Sequence, residues 1–296
     1  MTNESRHVGF STGRIAAITS NTLTELTRLK VFYVVLLFAL LLIGNSIFMA
    51  QLTFQQEFQV LKDIALGSMS IFTSLLAIVA TARLIPQDLE DRTIYTILAK
   101  PVPRFEYLLG KLAGVLLLLA LSVIIMSALF FAVLNVREQT VLRETTRQMS
   151  AAPAEQMAAA IHAVRDSAFN ANLFPGIALI YVKACLLASL TLFVSTFATT
   201  NIFTTVVMVF VYFIGHLQAT AREYWLQTNS AGWLTKTFLG LVALLFPDLQ
   251  GFNLVDDIVV GNAIPLTLFA KTIGLGFFYV AFYLLLAAAV FYRKEV

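Results

Sequence analysis

Charge is what this sequence has least of. Asp, Glu, Lys and Arg together make up 12% of its 296 residues, where soluble domains carry about 25%. A water-soluble fold has too little polar surface here to cover itself. Cysteine is nearly absent. Cys185 is the single one and lies in an apolar run, so no internal disulfide forms and no redox compartment can be read from bridges. The chain has no G-x-x-x-x-G-K-[ST] segment, so it lacks the usual loop for cradling ATP phosphates. It has no H-E-x-x-H and no G-x-S-x-G, which argues against a membrane metalloprotease or a serine hydrolase. Met-x-x-Met and Cys-x-x-Cys are missing too. Met126 and Cys185 fall in different apolar runs, and Met208 and His216 lie about two turns apart, so no metal site is expected.

What is present is apolar. Hydrophobic residues make up 59% of the chain, 25 of them Phe, and the mean hydropathy is +0.83. A membrane span needs about 20 largely apolar residues. Six stretches qualify: about Val31–Met49, Ile64–Ala82, Leu112–Leu134, Phe174–Phe197, Ile202–Leu217 and Pro265–Tyr292, none holding Asp or Glu. Trp233–Phe246 is apolar but short and ends at Pro247-Asp248, which predicts a re-entrant or interfacial helix. The fold class expected is therefore an all-α membrane protein with six transmembrane helices, forming a single membrane domain over residues 1–296. The first apolar run starts only at Val31 and exceeds the roughly 7–15 residues of a signal-peptide core, so it reads as a retained helix.

Lys and Arg in the flanks set the direction. The leader (1–30) carries Arg6, Arg14, Arg28 and Lys30, the loop 83–111 carries Arg83, Arg92, Lys100, Arg104 and Lys111, and the tail carries Arg293 and Lys294. Six spans put these three regions on one side, predicting both termini in the cytoplasm. The net charge of +3 follows from that rule and calls for no nucleic-acid partner. In the leader, Ser11 and Thr12 can cap a helix whose Ile15, Ile18, Thr22, Leu26 and Leu29 recur on one side, the pattern of an amphipathic surface helix. The outer loop 135–172 predicts a small helical hairpin. Val141, Leu142, Thr145 and Met149 form one stripe, and Pro153 starts a second helix with Met157, Ala160, Ile161, Val164 and Ala168 inward. The segment 218–264 is expected on the same outer side, with Trp225 and Trp233 as interfacial anchors.

The loop between the second and third spans carries the most information. Pro86 can begin a short helix with Asp88, Glu90 and Asp91 near its N-terminus and Lys100 at its C-terminus, both favourable to the helix macrodipole. Leu89, Ile94, Ile97 and Leu98 give that helix an apolar side, and Pro101 and Pro103 stop it. Pro103 can then start a second helix running into the third span, with Leu109-Gly110-Lys111 as a hinge. A charged, half-apolar helix tied rigidly to a membrane helix can pass a push from a cytoplasmic partner into the bundle.

These residues resemble the permease subunits of type 2 ABC exporters, especially the subgroup labelled multicopper-enzyme-maturation permeases. The matching positions are Glu90-Asp91-Arg92-Thr93-Ile94, Leu98, Lys100-Pro101-Val102, Arg104 and Leu109-Gly110-Lys111. Arg92 departs from the pattern, since many relatives have Gly there. Weaker resemblance covers the whole chain, including Phe246-Pro247-Asp248 and Phe252-Asn253. The resemblance implies that the loop, Asp88 included, is a coupling helix docking on a separate ATPase. It implies a dimer of permeases with two such ATPase copies, and ATP and Mg bound on the ATPase, with no cofactor on this chain. It places the chain in a bacterial inner membrane, with a periplasmic accessory protein as a further expected partner. The chain itself is then no enzyme, and the subgroup name is no evidence of copper transport.

Within the spans, Lys183, Lys271 and His216 are the candidate cavity-lining residues. A Lys at mid-span costs about 2.5–3.5 kcal/mol on insertion and needs a wet or paired site. Two other readings stand beside an ATP-driven exporter. A membrane scaffold that recruits an ATPase for envelope or metalloenzyme maturation would share the same loop. An ion-coupled secondary transporter would be expected to hold carboxylates near the midplane and an inverted repeat, and neither is visible.

Overall fold

The computed structural model describes residues 11–51, 56–90, 103–150, 153–227, 237, 247–253, 258–259 and 265–293. All regular structure among them is helical. In chain order the α-helices are α1 (Thr12–Thr27), α2 (Lys30–Gln51), α3 (Glu57–Ala82), α4 (Leu84–Glu90), α5 (Arg104–Gln148), α6 (Ala154–Ala168), α7 (Leu173–Phe197), α8 (Asn201–Gln227) and α9 (Leu266–Arg293), with a 3-10 turn at Gln250–Phe252. Six helices or continuous helical stretches are long and apolar enough to cross a membrane: Lys30–Ala50, Glu57–Glu90, Arg104–Gln148, Ala154–Phe197, Asn201–Gln218 and Leu266–Arg293. Each contains one of the six expected stretches, apart from the first residue of the last. Thr237 aside, the expected re-entrant stretch Trp233–Phe246 lies outside the described residues.

α7 is the most enclosed span and α9 the least. α7 packs against α3, α5, α8 and α9, while α2 leans on α3 and α5. Periodicity explains the arrangement. Apart from Tyr181 and Lys183, α7 is apolar or small on every side, and its Ser189, Thr191, Ser195 and Thr196 return their hydroxyls to carbonyls three or four residues back in the same helix. That removes the penalty of burying them. α2, α8 and α9 each turn one face of Phe, Leu, Ile and Val outward, among them Phe38, Phe210 and Phe277, as lipid-facing helices do.

Two local features differ from the sequence reading. The first arm of the expected outer hairpin is not a separate helix. α5 runs unbroken for 45 residues, about 68 Å at 1.5 Å per residue, against a hydrocarbon core of about 30 Å. Nothing between Leu134 and Gln148 is Gly or Pro, so no residue ends the helix where its apolar run ends. The second arm is as expected: Pro153 occupies the N-cap of α6, which packs back on α5. Phe131, Phe169 and Phe174 cluster at 5.4–6.3 Å between ring centres and hold the exit of α6 against α5 and α7.

The second difference is at Pro86. It does not open α4 but lies in its first turn. Proline has no N–H to give the carbonyl four residues back, here that of Ala82. α3 ends at Ala82, Arg83 caps it, and the next helical bond runs from Gln87 N–H to Arg83 O at 3.0 Å. The missing donor accounts for the break between α3 and α4.

Candidate functional site

The first turns of α5 gather a dense set of polar contacts. Arg104 opens the helix and donates from Nη1 to the carbonyls of Phe291 at 2.8 Å and Tyr292 at 2.9 Å. A cation at the end of α9 satisfies carbonyls that have no partner within the helix and complements the negative end of its dipole. Two residues on, Glu106 is 1% exposed. Its carboxylate accepts from Arg14 Nε at 2.7 Å and Nη2 at 2.9 Å, and from the backbone N–H of Ser11 at 3.0 Å. The expected capping of α1 by the Ser11 side chain does not occur. The acid arrives instead from a residue 95 positions away. The Arg14 guanidinium beside Glu106 is held above its already high ordinary value, chiefly by that side-chain hydrogen bond.

Tyr107 and Lys111 face the other way, onto α4. The Tyr107 hydroxyl donates to Asp88, and its ring stacks on Phe291 at 5.9 Å. Lys111 Nζ lies 2.7 Å from Asp88 Oδ2 and 3.6 Å from Glu25 Oε2. Lys111 is 3% and Asp88 7% exposed. One ammonium thus joins α1, α4 and α5. A buried carboxylate is tolerated only when paired and hydrogen-bonded, and Asp88 has both a cation and a phenol.

Gly110 and Gly114 let α1 come close enough for these contacts. A Cβ on Gly110 would stand 2.8 Å from Ile18 Cβ, and one on Gly114 would stand 2.7 Å from Thr22 Cβ. Thr19 Oγ1 donates to Gly110 O at 3.2 Å. This is a small-xxx-small helix contact. The reading of Leu109-Gly110-Lys111 as a hinge is corrected here: α5 passes through Gly110 without a break, and the glycine serves close approach. The amphipathic face of α1, with Thr22 and Leu26 fully buried, has α5 as its partner.

Of the loop residues singled out by sequence, Asp88, Glu90, Arg104, Gly110 and Lys111 are in the described structure. Asp88, Gly110 and Lys111 come together in this cluster, Arg104 joins it through Phe291, and Glu90 is exposed at the end of α4. Asp91, Arg92, Thr93, Ile94, Leu98, Lys100 and Pro101 lie outside the described residues. The cluster nonetheless bounds their segment on both sides, at Asp88 before it and at Arg104 to Lys111 after it.

The family model for the ABC-2 family transporter protein matches residues 16–296. The chain belongs to this family. As an ABC-2 protein it is a multi-pass membrane component of an ABC transporter and not itself the catalytic subunit. No curated protein matches the ABC-2 chain.

The polar residues expected inside the bilayer occupy three different settings in this ABC-2 protein. Lys183 is 1% exposed in the middle of α7, its ammonium on the Ser70 hydroxyl of α3. His216 is half-buried near the end of the apolar part of α8, Asn201–Gln218, its Nδ1 2.9 Å from Tyr212 O and its ring 4.3 Å from the Tyr212 ring. Lys271 is exposed on α9. Lys183 and His216 lie close enough to interact electrostatically, while Lys271 joins neither on its exposed face of α9. The sequence reading missed Glu106 and Tyr107, although both stand in the segment it quoted. A carboxylate two residues after Arg104, at the head of an apolar helix, was the available signal. Arg14, Glu25 and Ser70 gave no signal, because their partners are more than 60 residues away.

Proposed function

We propose that the chain is the permease subunit of an ATP-driven exporter, energised by a separate ATPase that docks on the segment 91–102 and on the exposed end of α4 at Glu90. The observation that carries this reading is the buried cluster of Asp88, Tyr107 and Lys111. It clamps the two flanks of that segment to one another. It also ties them to α1 through Glu25, and to α9 through Tyr107 on Phe291. A partner that displaces the segment must move a rigid unit of four helices. The flanks cannot give way separately without parting a buried ion pair, which costs about 3–5 kcal/mol when one partner is lost.

In this reading Asp91, Arg92, Thr93, Ile94, Leu98, Lys100 and Pro101 meet the ATPase, while Asp88, Arg104, Gly110 and Lys111 transmit the movement. ATP and Mg sit on two ATPase copies. Two permease copies, most simply a homodimer, complete the transporter in an inner membrane, with both termini cytoplasmic.

Co-expression with its cognate ATPase tests the reading. The purified permease hydrolyses no ATP by itself, the two proteins co-purify, and charge reversal at Glu90 and Asp91 reduces permease-dependent ATP hydrolysis at least tenfold. Full hydrolysis and transport by the reversed variant would overturn the docking assignment. A scaffold would co-purify equally well, but its ATP hydrolysis would not respond to any transported compound in liposomes.

A further inference from the structure

At the other end of the bundle, the start of α3 faces the far part of α5 and α6 across a cleft of about 370 Å³. α3 is 26 residues long, about 39 Å, so this cleft is remote from the Asp88 cluster. Its volume falls in the range of small-molecule sites, about 300–1,000 Å³. Lys62 lies among its walls and is 2% exposed. Lys62 Nζ donates to Ser167 O at 2.7 Å. An ammonium has three N–H donors, and no carboxylate among the described residues pairs with this one. Buried charges are ordinarily paired.

The cleft also holds acids of two kinds. Glu57 is engaged by Arg137, with Nε at 3.1 Å and Nη2 at 2.5 Å. Glu144 on α5 and Asp166 on α6 are exposed and form no ion pair among the described residues. Phe58, Val141, Val164 and Val259 complete an apolar side. Among the described residues, one wall therefore presents a cation without a counter-charge, the rim presents anions without counter-charges, and an apolar surface adjoins both.

We infer that this cleft binds a small zwitterion carrying an acid group and a primary ammonium, the acid group on Lys62 and the ammonium on Glu144 and Asp166. A free amino acid or short peptide has this chemistry, and so does an ethanolamine phospholipid headgroup at the membrane edge. A purely anionic ligand would meet the rim carboxylates, and a purely cationic one would meet Lys62. The inference stands on the cleft itself and not on the docking of an ATPase.

The full chain in detergent is titrated with L-leucine and with tri-alanine by calorimetry. In parallel it is presented to phosphatidylethanolamine and phosphatidylglycerol by native mass spectrometry. We expect saturable binding of a free zwitterion, or retention of phosphatidylethanolamine over phosphatidylglycerol. The first outcome assigns a soluble ligand and the second a headgroup. Lys62→Met and the double variant Glu144→Gln/Asp166→Asn should each weaken that binding at least tenfold. The double variant changes only exposed side chains, so its folding is secure even if Lys62→Met loosens α6. Binding unchanged in the double variant, equal retention of both lipids without binding of either free zwitterion, or no binding of any probe would each overturn the inference.

Discussion

Lys111 Nζ stands 2.7 Å from Asp88 Oδ2, and both side chains are buried. The two residues are 23 positions apart in the chain and enclose the whole segment proposed to meet the ATPase. Their contact is where that segment becomes part of the membrane bundle.

Removing Lys111 takes the cation from the buried Asp88 carboxylate, and removing Asp88 leaves Lys111 only the longer contact to Glu25 at 3.6 Å among the described residues. Lys111→Met and Asp88→Leu should each destabilise the purified permease by about 3–5 kcal/mol, read as a lowered midpoint of thermal unfolding in detergent. The double variant should lose clearly less than the sum of the two, because neither charge then remains. Additive losses would mean that the pair is not a coupled unit.

Gly110→Leu and Gly114→Leu should detach α1. Any Cβ at these positions stands under 3.0 Å from Ile18 or Thr22, and helix backbone has no room to give. Limited proteolysis should cut within Thr12–Thr27 far faster in both variants than in the parent. Gly44→Leu is the matched control. Gly44 has no atom within 4 Å of an added Cβ, and the same cut should stay slow.

Arg104→Ala should fray the end of α9, because two carbonyls lose their donor. Hydrogen exchange at Val290–Arg293 should quicken by up to about tenfold, since a cation at a helix C-terminus contributes at most about 2 kcal/mol in a partly buried geometry. Arg104→Lys should recover part of the protection, since a single ammonium keeps the charge but not the guanidinium fork.

Lys183→Met tests what the buried ammonium in α7 is for. The substitution keeps the length of the side chain and removes a charge that is costly at mid-span, about 2.5–3.5 kcal/mol on insertion. The variant should fold and insert at least as well as the parent, with an equal or higher unfolding midpoint. A marked loss of folded protein would show that the Lys183–Ser70 contact holds α3 to α7.

The spans were legible because a membrane leaves hydropathy little freedom. Leu112–Leu134 and Phe174–Phe197 could be nothing but buried or lipid-facing helices. Helix ends were less legible. α5 passes Leu134 and continues to Gln148, because polarity there marks departure from an apolar run and not the end of a helix. The site was half legible. Asp88 and Lys111 stood out as charges at the edge of apolar helices, but each was assigned to its own local helix. Their pairing depends on the break that Pro86 makes after Ala82 and on the approach of α1 at Gly110 and Gly114. Neither follows from local pattern. The pairing of Glu106 was illegible for the same reason, as its partners Ser11 and Arg14 are more than 90 residues away.

In the proposed mechanism, movement of the segment 91–102 reaches α1 and α9 through the Asp88–Lys111 contact. Spin labels at Ser20→Cys on α1 and Tyr292→Cys on α9, both exposed positions, can report it once the single native cysteine is replaced in Cys185→Ser. The distance between them is measured by pulsed electron resonance in the permease–ATPase complex, with and without ATP and Mg. This mechanism requires a shift of the distance distribution on addition of ATP that is lost in Asp88→Leu/Lys111→Met while the complex stays assembled. An undiminished shift in that double variant would contradict it.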